Sequence, residues 1–416
     1  MIWSRRRAFA PIVAISAAVA TAAGGCAQSN TGGQLPQTSS ISPTAAPAAD
    51  KKARATKIAL ILPLGGIGEP AQIARGMKQA AEMALFEANN PAVQLIAKDD
   101  GGTPQGAMAA ADAAIAEGAE IILGPLYGKS AVAIAPIASK AGIPVVTFSN
   151  DLTAAGHGVY LMSFLASEEV HRVVGYAARQ DKRRFAALMP DTAYGKAIEP
   201  AFRAAVAKAG GQIVAAETFS SDTSSLLISA KKVVQVIAAA EKSGMPVDAL
   251  FVPASPDQIS QLGPLLNSAG LNNDKLKLLG TSAWDGPIVS RDEALIGGWY
   301  AASDPGGWTV FADKYRKNFG TIPPRLATLS YDAMSMALTL ATNAAPGRFA
   351  AEKLTRAEGF AGVDGPVRLT TGGFSQRDLA VLEVQKYSSA VIEAPALVTA
   401  AQPQAMAVSQ VARPPL

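Results

Sequence analysis

The sequence predicts an α/β protein whose two doubly wound parallel-sheet lobes enclose a ligand cleft. Short apolar runs, such as residues 57–62, alternate with segments of helical periodicity, and this alternation begins again at residue 184. Strands that alternate with helices form right-handed βαβ units, which build a parallel sheet covered on both faces. Because open parallel sheets bind ligands beyond the carboxyl ends of their strands, two facing lobes create a cleft.

Each lobe is predicted from four apolar runs that end at polar or glycine-rich turns. In the first lobe the strands are residues 57–62, 93–97, 120–123 and 144–148, and the helices lie near 73–85, 104–117 and 130–140. In the second lobe the strands are residues 184–189, 212–217, 249–252 and 276–279, and the helices lie near 196–209, 225–242 and 258–269.

Residues 1–25 have the anatomy of a signal peptide: three arginines precede an apolar run, at 8–23, that is shorter than the ~20 residues of a membrane-spanning helix. The small residues before Cys26 resemble a lipobox, in which that cysteine is lipidated and becomes the mature N-terminus. The alternative is an ordinary signal peptide, with Cys26 incidental. Residues 26–54 then form a flexible tether, and residues 389–416 a disordered tail.

The composition excludes several classes of function. A single cysteine excludes a disulfide framework and any site with two or more cysteine ligands, and two histidines leave little room for a zinc site or a histidine-based triad. The formal charge of +4 is too small to indicate nucleic-acid binding, and removal of the signal peptide, with three arginines and no acid, lowers it to +1. No hydrolase motif occurs. We therefore expect a non-enzymatic protein without a cofactor or metal.

Ser130 is a candidate ligand-binding residue because it lies where a helix is predicted to begin. The preceding segment has only three residues between Gly124 and Gly128, so it is not a P-loop. A helix N-terminus presents free N–H groups and a partial positive charge, which suit a carboxylate. The alternative is that Ser130 only caps its helix.

Ser149, Asn150 and Asp151 follow the fourth strand and should lie at the same end of the first sheet. They are either ligand-binding residues or a polar turn. Asp99 and Asp100 end the second strand, and the Gly-Gly-Thr-Pro that follows them favours a turn that caps the next helix rather than catalysis.

Three further candidates follow strands of the second lobe. Tyr194 could face the cleft, or pack on its own helix. Trp284 and Asp285 could supply an apolar wall and an acid to the ligand, or anchor the fold.

Together these features resemble the type I periplasmic-binding fold, specifically the leucine/isoleucine/valine-binding family, over roughly residues 56–387. The resemblance depends on the order and spacing of residues 58–63, Gly76, Asp99-Asp100, Gly124-Pro125-Leu126, Ser130, residues 142–145, Tyr194-Gly195, Phe319-Gly320, Tyr331-Asp332-Ala333 and residues 362–368.

The resemblance implies lobe boundaries and roles for the candidate residues. The first lobe would comprise residues 55–165 plus 302–345, and the second 166–301 plus 346–388, joined by crossing strands that form a hinge. Ser130 and residues 149–151 would hold the carboxylate and amine of the ligand, and Tyr194 and the Trp284 region would close over it. Where the family often has a glutamate for the ammonium group of the ligand, this sequence has only Asp285.

The implied function is a lipid-anchored solute-binding protein on the periplasmic face of a membrane, which captures an amino acid or amide for an ABC permease. A second resemblance, through residues 62–64, 124–126 and 144–150, is to the lipoproteins that activate penicillin-binding proteins. The alternative function is therefore non-enzymatic activation of a penicillin-binding protein in peptidoglycan synthesis.

Overall fold

The computed structural model describes residues 55–220, 222–271, 276–342 and 347–395. The expected signal peptide, Cys26, the tether and the end of the expected tail lie outside these residues. The described chain forms two lobes, each with a β-sheet between helices. The predicted α/β class is therefore confirmed.

The first lobe contains a five-stranded sheet whose neighbouring strands are all parallel, in the order β2-β1-β3-β4-β5. Its strands are β1 (Thr56–Leu62), β2 (Val93–Asp99), β3 (Ala119–Leu123), β4 (Val145–Thr147) and β5 (Val159–Leu161), and its first helices are α1 (Glu69–Ala88), α2 (Pro104–Ala116) and α3 (Gly128–Ala141).

The second lobe begins with α4 and contains a seven-stranded sheet in the order β14-β13-β10-β9-β8-β6-β7. Its elements are α4 (Ala166–Arg179), β6 (Arg184–Pro190), α5 (Ala193–Lys208), β7 (Gln212–Phe219), α6 (Thr223–Lys242), β8 (Ala249–Phe251), α7 (Pro256–Ser268), β9 (Lys277–Gly280) and β10 (Trp299–Ala302).

After β10 the chain returns to the first lobe and then ends in the second. The returning elements are α8 (Pro305–Phe319), α9 (Ala327–Ala341), α10 (Ala351–Leu354), β11 (Val367–Leu369) and β12 (Ser375–Arg377), followed in the second sheet by β13 (Ala380–Gln385) and β14 (Ser388–Glu393).

Strand β1 shows why the runs between polar turns are uniformly apolar. Ile58 and Leu60 pack with residues of α1 and α9 on one face, whereas Ala59 and Ile61 pack with residues of α2 and α3 on the other. A parallel strand covered by helices on both faces has no solvent-facing side. Within the described ranges, no helix has the length and apolar character needed to cross a membrane.

The structure corrects two of the expected boundaries. Residues 347–369 were expected in the second lobe, but Phe349, Leu354 and Phe360 are buried in the core of the first, where they pack with β1 and α9. The tail was expected from residue 389, but β14 continues to Glu393 because it forms an antiparallel pair with β13. Strand β13 is in turn antiparallel to β10, so one edge of the second sheet departs from the predicted parallel arrangement.

Candidate functional site

A pocket of about 590 Å³ lies in the first lobe, where β1, β2, β3 and β4 end. Its walls come from the turns that follow these strands: Pro63 to Ala71 after β1, the two glycines after β2, Tyr127 to Ser130 after β3, and Asp151 after β4. We call it the strand-end pocket. It occupies the position at which open parallel sheets bind ligands.

The start of α3 forms one wall of this pocket, and a helix start of this kind suits an anion. The helix begins at Gly128, and its N-cap residue, Tyr127, makes no side-chain capping hydrogen bond. The first N–H groups of the helix are therefore left for another acceptor. Lys129 also lines the pocket, is exposed, and forms no ion pair with any described residue.

Ser130 is the third residue of α3 and lines the same pocket with only 1% of its surface exposed. Its Oγ has no hydrogen-bond partner among the described residues. Capping, the alternative considered for Ser130, is not observed, since the cap position belongs to Tyr127. A buried hydroxyl without a partner is costly, and a ligand or water at this position would remove that cost.

The segment after β4 combines a turn with one wall of the pocket. Ser149 is buried, and its Oγ accepts the N–H of Asp151 at 3.0 Å. Asp151 accepts the N–H of Thr153 at 3.0 Å and its hydroxyl at 2.7 Å, and its carboxylate lies against Gly128, where a Cβ atom would be 2.6 Å from Oδ2. Asn150 is exposed and is not part of the pocket wall.

Asp99 and Asp100 build the turn that shapes the neighbouring wall. Asp99 accepts the N–H groups of Leu64 and Gly101, which holds the pKa of its carboxyl below the ordinary value. Asp100 accepts the N–H of Gly102, but the cap of α2 is Thr103 rather than either aspartate.

A second space, of about 400 Å³, lies where three crossing segments connect the lobes, and we call it the hinge cavity. These segments join β5 to α4, β10 to α8, and β12 to β13. Asp285 lines this cavity and accepts a hydrogen bond of 3.1 Å from the hydroxyl of Tyr300. The hinge cavity shares no lining residue with the strand-end pocket.

The other two candidates from the second lobe line neither space. Tyr194 is 39% exposed and donates to Thr281 Oγ1 at 3.2 Å. The prediction that Trp284 contacts the ligand is wrong. Trp284 is fully buried in the core of the second lobe, and its indole N–H donates to the Val252 carbonyl at 3.1 Å. Its bulk fills the space beside Gly280, where a Cβ atom would be 2.2 Å from the indole.

Sequence reasoning missed Lys129 and Glu169. Lys129 stands beside the predicted Ser130, so the same helix-start argument could have included it. Glu169 lines the hinge cavity from α4, where it accepts the N–H and hydroxyl of Ser282 at 2.9 and 2.7 Å. Burial raises the pKa of its carboxyl to about 7. Its helical position alone carries no sign of this burial.

Known proteins share this architecture. A periplasmic ligand-binding protein of a branched-chain amino acid ABC transporter from Burkholderia xenovorans superposes with a TM-score of 0.61 at 18% identity, covering 82% of this chain and 96% of that one. An ABC transporter substrate-binding protein from Desulfitobacterium hafniense in complex with Leu gives 0.57 at 18% identity, covering 81% and 99%.

A curated relative from Brucella melitensis, Leu/Ile/Val-binding protein homolog 3, is 26% identical over 155 residues, which are 36% of this chain. The match spans about two fifths of the length of that relative, 42%. The model of the periplasmic binding protein family matches residues 55–389, which include both lobes and all three crossing segments. The chain belongs to the periplasmic binding protein family.

Proposed function

We propose that this protein is the solute-binding component of an ABC transporter and that it captures a small carboxylate, an amino acid or its amide, between its lobes. The observation that carries the proposal is the strand-end pocket, which combines an uncapped helix start, the ammonium group of Lys129 and the unpartnered hydroxyl of Ser130. These groups suit a carboxylate or amide oxygen.

The same pocket offers a partner for an ammonium group. Asp151 supplies its acid, and its Oδ1 is engaged by Thr153 while Oδ2 lies at the wall beside Gly128. A ligand with its carboxylate at α3 and its ammonium toward Asp151 would satisfy both charges. Leucine, bound in the Desulfitobacterium structure, carries these two groups. Pro63, Ile67 and Ala71 give the pocket an apolar side for the remainder of the ligand.

The first experiment is a titration of the ligand-stripped protein with amino acids and amides, followed by calorimetry and thermal melting. A ligand at 100 times its Kd should add about 2.7 kcal/mol to the free energy of unfolding. Lys129→Gln should then weaken the affinity roughly tenfold or more, because a hydrogen bond to a charged group contributes about 1.5–3 kcal/mol. Ser130→Ala should also weaken it.

The matched control is Lys140→Gln, which removes an exposed lysine from the last turn of the same helix. Its affinity should equal that of the wild type. If the whole panel left the melting temperature unchanged, or if Lys129→Gln and Lys140→Gln bound equally well, the proposal would be wrong.

We also propose that lipidation of Cys26 anchors the protein to the periplasmic face of a membrane. The support is the sequence around the lone cysteine and the tether that follows it, in which residues 27–49 carry no charged side chain. Cys26→Ala should move the protein from the membrane fraction to the soluble periplasmic fraction, whereas Ser29→Ala in the tether should not. A membrane fraction unchanged by Cys26→Ala would contradict the proposal.

The resemblance to activators of penicillin-binding proteins leaves a second function to be distinguished from transport. Capture of a permease from a membrane extract would favour transport, and capture of a penicillin-binding protein would favour the activator.

A further inference from the structure

The three crossing segments pass from one lobe to the other within one or two residues. In the first segment, Leu165 packs with Ala131 and Leu161 of the first lobe, whereas the next residue, Ala166, packs against the core of the second. This abrupt change places a boundary between residues 165 and 166.

The other two segments change lobes in the same way. Asp378 donates its N–H to Pro366 of the first lobe at 3.4 Å, whereas Leu379 belongs to a core cluster of the second, where its carbonyl accepts from Arg172 at 2.6 Å. Ala302 ends β10 in the core of the second lobe, and Asp304 caps α8 of the first. The boundaries are therefore 378/379 and Ser303, which lies between Ala302 and Asp304.

One aromatic ring holds the first crossing segment to the first lobe. Phe164 lies beneath two guanidinium groups, with Arg325 4.9 Å and Arg377 5.2 Å from the centre of its ring. A cation over an aromatic face is attracted by the ring quadrupole, and more strongly where water is excluded. Arg325 comes from the segment before α9, and Arg377 from β12.

Buried aspartates fix both arginines. Arg325 forms a two-pronged pair with Asp364, with Nη1 and Oδ2 3.0 Å apart, and Arg377 pairs with Asp332 of α9 at 3.2 Å. Both aspartates are almost wholly buried. In addition, the Ser375 hydroxyl donates to the Ser163 carbonyl at 3.2 Å, which ties the first crossing segment to β12, the strand that leads into the third. We call Phe164, Arg325, Arg377, Asp332 and Asp364 the Phe164 clamp.

The hinge cavity lies around the three boundaries. Leu165, Ser303, Asp304 and Leu379 all line it. Packed protein interiors resist displacement, since they hold few voids larger than a water molecule. Empty space beside these residues therefore leaves room for the chain to rotate there. Phe164, Arg325 and Arg377 border the same cavity, but their contacts with one another and with Asp332 and Asp364 hold them to the first lobe.

We propose that the Phe164 clamp makes the first and third crossing segments rigid parts of the first lobe, so that the lobes move by bending at 165/166, at Ser303 and at 378/379. The clamp thus confines motion to one axis and keeps the two halves of the cleft in register. The inference rests on the proposed function only in that the lobes are taken to move.

The experiment measures the separation of the lobes by electron paramagnetic resonance without ligand, so that failure of ligand binding and failure of this inference are distinguishable. Spin labels are placed at Asp112→Cys on α2 and Lys231→Cys on α6, both exposed, in a Cys26→Ala background that has no other cysteine. Phe164→Leu should broaden the distribution of distances between the two labels. Phe164→Tyr, which retains the aromatic ring, should keep the narrow distribution of the wild type.

The matched control is Arg356→Gln. Arg356 lies 4.1 Å over the ring of Phe360 within the first lobe, away from the crossing segments, so its loss removes a similar contact without touching the hinge. Its distribution should equal that of the wild type. Hydrogen exchange should rise in residues 161–165 of Phe164→Leu and stay unchanged in α4. A wild-type distribution for Phe164→Leu, or equal broadening in Arg356→Gln, would overturn the inference.

Discussion

The carboxyl group of Glu169 is buried in the second lobe, where few neighbouring groups stabilise its charged form. Only 7% of its surface is exposed. The only hydrogen bonds that it accepts from described residues come from the backbone N–H and the hydroxyl of Ser282. No lysine or arginine of the described chain forms an ion pair with it. These hydrogen bonds favour the carboxylate, but the loss of hydration is larger and raises the pKa to about 7.

This pKa makes stability depend on pH, with a definite sign. The unfolded chain releases the proton near the ordinary value of 4.5, whereas the folded protein keeps it to about pH 7. Between these values the folded state binds more protons, so the free energy of unfolding falls as pH rises, by up to about 3 kcal/mol from this group. The stabilising contribution of Glu169 is complete below pH 4.5 and is lost as the pH rises through about 7.

Glu169→Gln should therefore flatten the pH dependence of stability, because an amide does not titrate. Urea unfolding between pH 4.5 and 8 would show a smaller decline than the wild type. Some decline should persist, since burial also raises the pKa of Asp332 to about 7. Glu293→Gln, at an exposed position, should leave the wild-type slope intact. An identical slope in both variants would contradict the prediction.

At the scale of elements, the apolar runs predicted the strands that lie between helices. Runs such as β1 and β6 are buried on both faces, so they carry a continuous apolar signal that marks the strand. Strand β14 carries no such signal because it lies at a sheet edge with only one neighbour and keeps polar and exposed residues. For this reason the sequence pattern predicted a tail from residue 389.

The position of the candidate residues could be predicted in part from the same strand pattern. Ser130 and Asp151 were predicted to lie close together because the ends of neighbouring parallel strands meet at one edge of a sheet, and both line the strand-end pocket. Trp284 was misplaced because its short segment turns inward after β9, to a site made by the carbonyl of Val252 and the bare backbone of Gly280. Such a site depends on contacts between distant residues, which the local sequence does not display.

At the scale of the whole molecule, β14 forms one edge of the second sheet. It pairs with β13 along its length and brings Glu393 to two arginines of α4, Arg172 and Arg179. Arg172 is mostly buried and also donates to the carbonyl of Ala394 at 3.1 Å. The last strand thus ties the edge of the second sheet to the helix that begins the second lobe.

A chain that ends at Tyr387 should therefore be less stable than one that ends at Pro395. The shorter chain loses the hydrogen bonds of β14 and leaves the largely buried Arg172 without its carboxylate, which together should lower the free energy of unfolding by about 3 kcal/mol or more. For a protein of this size the melting temperature should fall by roughly 4 °C or more. The chain that ends at Pro395 retains all of these contacts, so its melting temperature should equal that of the full-length protein. Equal melting of the two truncated chains would show that the body ends at residue 388, as the sequence pattern suggests. Because the strand-end pocket lies in the other lobe, ligand contacts there should survive the truncation, so that stability and binding separate in the same two variants.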